Sequence, residues 1–159
     1  MDKKTGVCLL LFLLLALSGC GAEKALTADQ IAAVTAAAQE AADPILREYG
    51  VTATVTEVET GEHNRKAYGI IHMDIQRADE LSLSDRARLA LALQEALAGD
   101  VGSRAGLDPA QTSLYALLTT DGRGILVTTV QDRITLTEDG QRLIDGLTWE
   151  EIDALYPAN

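Results

Sequence analysis

VTATVTEVETGEHNRKAYGIIHMDIQR, residues 51–77, decides how the chain is read. Apolar and polar side chains alternate from Val51 to Glu59 and again from Lys66 to Arg77, the period of a strand with one buried face. The intervening Thr60-Gly61-Glu62-His63-Asn64-Arg65 is turn-like, so the stretch predicts a β-hairpin. In its second strand Ala67, Gly69, Ile71, Met73 and Ile75 share the core face. Tyr68, Ile70, His72, Asp74 and Gln76 share the other, which is expected to be mostly wet.

Helical patterns flank the hairpin. Thr27 with Gln30 forms a capping box, and Leu26 with Ile31 a hydrophobic staple, so a helix starts here. Ile31, Val34, Ala38 and Ala41 recur at helical spacing. Asp43-Pro44 then predicts an interruption, with Asp43 capping a second short turn that runs to Tyr49 and stops at Gly50. After the hairpin, Ser82 or Ser84 opens another helix that carries Leu89, Leu93 and Leu97.

The loop from Asp100 to Ala110 leads to a strand from Ser113 to Thr120. Asp121-Gly122 turns the chain back through Gly124 to about Thr135. A weak helical segment is expected near Gly140 to Leu147. Thr148-Trp149-Glu150-Glu151 is a second capping box, and Trp149, Ile152 and Leu155 would dock the last short helix on the core. The expected fold is α+β: a two-layer sandwich, αββαββ, with a four-stranded antiparallel sheet, two helices on one face and a short C-terminal helix. The order of elements is similar to that of small αββ modules such as PepSY domains, with no matching motif residues.

The start of the chain carries a different signal. Lys3 and Lys4 precede an apolar run from Val7 to Leu17, too short for the roughly 20 residues of a membrane span but suited to a signal-peptide core. The run exits through Leu17-Ser18-Gly19-Cys20, which resembles the lipobox of bacterial lipoproteins at all four positions. That resemblance implies a diacylglycerol on the Cys20 thiol and cleavage just before it. The expected organisation is a signal peptide over 1–19, lipidated cysteine and tether over 20–26, and one α+β domain over 27–159. An ordinary secretory peptide cut near Gly21-Ala22 is the alternative. Six residues from Gly21 to Leu26 reach at most about 20 Å, so a lipid on Cys20 would hold the domain close to the membrane, on its extracytoplasmic face.

Composition bounds the partners. The chain has 13 Lys and Arg against 24 Asp and Glu, net −11, and loss of Lys3, Lys4 and Asp2 with the leader makes it one charge more negative. Phosphate backbones repel such a surface, so nucleic acid is not expected as a partner. Cys8 is the only thiol besides Cys20 and lies in the leader, so the mature domain has no disulfide. About 140 residues can fold without one.

Catalytic signatures are sparse. Gly102-Ser103-Arg104 lacks the G-x-S-x-G spacing of a nucleophile elbow, and Gly99, Gly102 and Gly106 fit neither a dinucleotide fingerprint nor a P-loop. No pattern requires a cofactor. His72 and Asp74, two apart on one strand face, are the one pair suited to acid–base or metal chemistry. Glu57, Glu59, Glu62 and His63 crowd the hairpin tip, where a charged rim that discourages edge pairing is the simpler reading than a cation site. Tyr68 beside Ile70 on the outer sheet face is the candidate contact patch, unless the tail helix covers it. These features predict a membrane-anchored lipoprotein whose domain binds or assists an envelope protein. A small acid–base or metal-assisted enzyme, or a divalent-cation binder, is the alternative.

Overall fold

The computed structural model describes residues 25–157, so the leader, Cys20 and most of the tether lie outside the described residues. The chain is α+β. Helix α1 (Ala28–Tyr49) precedes strands β1 (Thr52–His63) and β2 (Lys66–Gln76). A 3-10 turn over Ala78–Glu80 leads to α2 (Leu83–Gly99) and the single turn α3 (Val101–Arg104). Strands β3 (Thr112–Thr120), β4 (Arg123–Val130), β5 (Arg133–Glu138) and β6 (Gln141–Leu147) follow, then α4 (Trp149–Leu155).

Local signals at the helix ends act as their chemistry dictates. Thr27 and Gln30 close the capping box of α1, with Thr27 N–H donating to Gln30 Oε1 at 2.9 Å. At the other end Gly50 adopts φ +67°; its N–H reaches Arg47 O and the Val51 N–H reaches Leu46 O, a left-handed stop that satisfies two otherwise open carbonyls. Between these ends the expected break at Asp43-Pro44 does not occur: α1 is continuous, with Pro44 inside it. Pro44 is exposed, so the carbonyl it deprives of a donor faces solvent, while Ala41, Ala42 and Leu46 on the opposite side stay packed in the core.

The sheet has six strands in sequential order rather than four, and it is mixed. β1 pairs antiparallel with β2, but β2 pairs parallel with β3, Ile71 opposite Ala116 and Met73 opposite Leu118. The reason lies in α2. A 17-residue helix spans about 25 Å, enough to carry the chain back along the sheet before β3 begins, so β3 runs in the same direction as β2. The remaining pairs are antiparallel.

The two additional strands come from the C-terminal third. The return strand expected to run to about Thr135 breaks at Gln131-Asp132, where both residues have positive φ, and resumes as β5. The segment expected to be helical is β6, entered through Asp139 (φ +49°) and Gly140 (φ +79°), the same kind of tight two-residue turn as Asp121-Gly122. Seven residues nucleate a helix poorly, whereas the free edge of β5 supplies partners at once, and Ile144 faces Leu136 in the core.

Helices and sheet enclose one apolar layer. Ile71, Met73 and Ile75 of β2 and Leu89, Leu93 and Leu97 of α2 belong to one buried core, all at most 1% exposed. The expected inward row of β2 is therefore observed. α1 packs on β1 and α2, and α2 packs on β3 and β4. α4 lies against α2 and β6; its Ile152 is buried and Trp149 half-buried, but Leu155, expected to dock, is exposed. Among the described residues no helix is long and apolar enough to cross a membrane.

Candidate functional site

β2 carries the residues singled out by sequence, and its neighbours set their surroundings. On the face away from the helices Tyr68 lies between Gly61 and Ser113, Ile70 between Glu59 and Tyr115, His72 between Glu57 and Leu117, and Asp74 between Thr54 and Thr119. All four β2 residues are half-buried rather than fully wet, because strands flank them on both sides.

His72 and Asp74 share this face but serve different partners. Asp74 Oδ1 accepts from Thr119 Oγ1 at 2.7 Å and from the Gly122 N–H at 3.2 Å, so its carboxylate ties β2 to the β3–β4 turn. His72 Nε2 is buried, lies 3.5 Å from Glu59 Oε2 and makes no aligned hydrogen bond among the described residues. The carboxylate that a His–Asp couple would use is thus occupied in holding a hairpin. The hairpin tip likewise assembles no cation cage: among the described residues no group of three or more His, Cys, Asp or Glu is placed to hold a metal. Glu57 and Glu59 stand on the outer face, while the pairing of Glu62 with Ala67 puts it on the inner one.

The tip is also tighter than its sequence suggests. β1 continues to His63 and the turn is only Asn64-Arg65, both with positive φ. Glycine at 61 has a specific reason here. A Cβ at this position would stand 2.6 Å from Tyr68 Oη, so the bare backbone lets the tyrosine ring lie across β1. Beside that ring opens a cavity of about 570 Å³, lined by residues of the tip that include Glu62, His63, Lys66 and Tyr68, and by Ser113 and Tyr115 of β3.

Sequence reading missed the rest of the outer face. On β3 Tyr115, opposite Ile70, is 57% exposed and Leu117 43%, and on β4 Leu126 is 52% and Val130 67% exposed. The tail helix does not cover them; it sits with α2 and β6. The signal was present but ambiguous, since Leu114, Tyr115, Ala116, Leu117 and Leu118 are apolar in unbroken series and period-2 alternation cannot tell which side faces out.

A second polar cluster lies on the core side. Glu138, 5% exposed, is held by Arg86 at 2.8 Å and Arg123 at 3.0 Å, with Thr120 Oγ1 at 3.4 Å. It joins α2 to β4 and β5 and accounts for the one buried carboxylate among the described residues. No family model, curated protein or solved structure matches this chain.

Proposed function

We propose that this chain is a membrane-anchored extracytoplasmic lipoprotein, lipidated at Cys20, whose domain is a non-enzymatic module that binds or assists an envelope protein. The observation that carries the binding reading is the outer sheet face, where Tyr115, opposite Ile70, and Leu117 expose large apolar side chains on β3 and Leu126 and Val130 do so on β4. Contiguous exposed apolar surface rimmed by polar groups is the usual mark of an interaction site, with aromatic residues as anchors. The engagement of Asp74 by Thr119 and Gly122 weighs against the enzyme alternative.

The anchoring half rests on the Leu17–Cys20 box and the apolar run before it. Intact-mass measurement of protein from the producing cell tests it: a diacylglyceryl cysteine at the mature N-terminus is expected. For the binding half, a photo-reactive residue is placed at 117 or 126 and, as a control, at exposed Glu95 on α2. A discrete heterologous adduct from the sheet positions alone is expected. Equal labelling from Glu95 would defeat the reading.

A further inference from the structure

We infer that the outer sheet face is a site of self-association, where two copies of the chain pack face to face about a two-fold axis that runs along the strands between β3 and β4. The inference concerns the face of the proposed function and rests on its anchoring half for the orientation of the copies. An envelope partner at this face displaces the second copy.

Residues directly opposed in a sheet share a face, so the pairings give the order of side chains across it. Glu57 stands opposite His72 and His72 opposite Leu117; Glu59 stands opposite Ile70 and Ile70 opposite Tyr115. In the other half Leu126 stands opposite Thr137, Thr137 opposite Arg142, and Val130 opposite Arg133. The halves join where Leu118 pairs with Ile125, and Leu117 and Leu126 are the next residues along. The outer face therefore reads, in order, carboxylates on β1, exposed apolar side chains on the central strands β3 and β4, and arginines on β5 and β6.

Two sheets packed face to face keep their strands aligned to within about 30°, and a two-fold can achieve this along the strands or across them. The axis along the strands reverses the strand order, so β1 of one copy lies over β6 of the other while the apolar centre meets itself. Through Leu117 and Leu126, Glu57 and Arg142 lie at one level of the sheet, so each carboxylate arrives over an arginine. The axis across the strands sets β1 on β1, carboxylate against carboxylate. Glu57 has no ion pair among the described residues. Arg142 has one with Asp145 at 3.2 Å, both side chains 67% exposed, and a pair of that kind contributes little and exchanges readily. Arg133 is tied to the Gly146 carbonyl at 2.6 Å, so the pairing turns on Arg142.

The chain entry selects the same axis. The Leu26 N–H donates to Thr60 Oγ1 at 2.8 Å, which places the entry toward the hairpin-tip end of β1. A lipid on Cys20, six residues earlier, is at most about 20 Å from there. The axis along the strands points both tips at one bilayer, whereas the axis across them points the tips apart and leaves one lipid in water.

Size and charge allow the contact. Six strands about 4.8 Å apart, each about seven residues long, make a face of roughly 600 Å², so two copies bury about 1,200 Å² in total, the lower end of specific interfaces. The chain is net −11, but charges more than about 8 Å apart are screened at physiological salt, so the local order of charges decides how two faces meet.

The test uses the full mature protein, lipidated at Cys20 and reconstituted in phosphatidylcholine vesicles. Its one native thiol carries the lipid, so Glu57→Cys and Arg142→Cys, both at exposed positions, each introduce a single reactive thiol. A bis-maleimide of about 10 Å span, the spacing of packed sheets, is expected to cross-link an equal mixture of the two variants several-fold more than either alone. Leu117→Asp in both members is expected to abolish that excess. Equal yields from all three samples, as random collision gives, overturn the inference. So does a higher yield from Glu57→Cys alone, the signature of the axis across the strands, and so does an excess that survives Leu117→Asp. No excess in protein that still gives a heterologous photo-adduct from position 117 defeats this inference alone; loss of that adduct as well defeats the binding reading. An unmodified Cys20 thiol by intact mass overturns both this inference and the anchoring on which it rests.

Discussion

Arg86 on α2 and Glu138 on β5 meet at 2.8 Å between the helix layer and the sheet, with side chains only 11% and 5% exposed. Their contact spans 52 residues of sequence. Removing one partner leaves the other charged in a site with little water. Glu138→Ala is therefore expected to destabilise the fold by about 3 kcal/mol, and urea unfolding at neutral pH checks this. A loss of under about 1 kcal/mol would mean that Arg86 and Arg123 find solvent easily.

Gly69 presses against the chain entry. An added Cβ would stand 2.8 Å from Leu114 Cδ2 and 3.0 Å from Leu26 Cδ1. Gly69→Ala is expected to cost about 1–2 kcal/mol through overpacking, and to loosen Leu26. Hydrogen exchange at the Leu26 amide, now bonded to Thr60, reads the second effect directly.

Asp153 on α4 accepts from Ser84 Oγ at 2.5 Å and from Arg88 Nη2 at 2.7 Å, and these two contacts hold its carboxyl below the usual carboxylate range. A depressed folded-state value means that the contribution is present above the unfolded value and is lost as pH falls through the folded one. Thermal midpoints of the parent and Asp153→Asn should differ at neutral pH and converge as the pH is taken below about 4. A constant gap across that range would show that the ionised form is not what stabilises α4.

The outer face contributes little to the fold if it is a contact surface. Leu117→Thr and Leu126→Thr are expected to shift stability by no more than about 0.5 kcal/mol each, yet to abolish photo-adducts formed through this face. A large stability loss from Leu126→Thr, on a side chain 52% exposed, would argue that the face is packed in the native molecule.

Legibility in the sequence followed distance along the chain. The capping pairs Thr27 with Gln30 and Thr148 with Glu151 were readable because three residues separate the partners. So was the inward row of β2, since alternation depends only on the pleat. Pro44 misled because its tolerance depends on which side of α1 faces solvent, a property of the packed state. For His72 and Asp74 the shared face was readable but not the partners. Thr119 and Gly122 reach Asp74 from more than 40 residues away.

By itself the sequence determined the capped starts of α1 and α4, the Gly50 stop, the strand character of β1, β2 and β3, the acidic charge and the lipobox-like exit at Cys20. Tertiary structure decided the parallel pairing of β2 with β3, the recruitment of Gln141–Leu147 as a sixth strand and the exposure of Tyr115 and Leu117. The physical reason is that caps and pleats are satisfied by neighbours within a turn or two of backbone. A strand's partner and outward face are settled only when a distant segment supplies hydrogen bonds to its edge or apolar cover to its side chains.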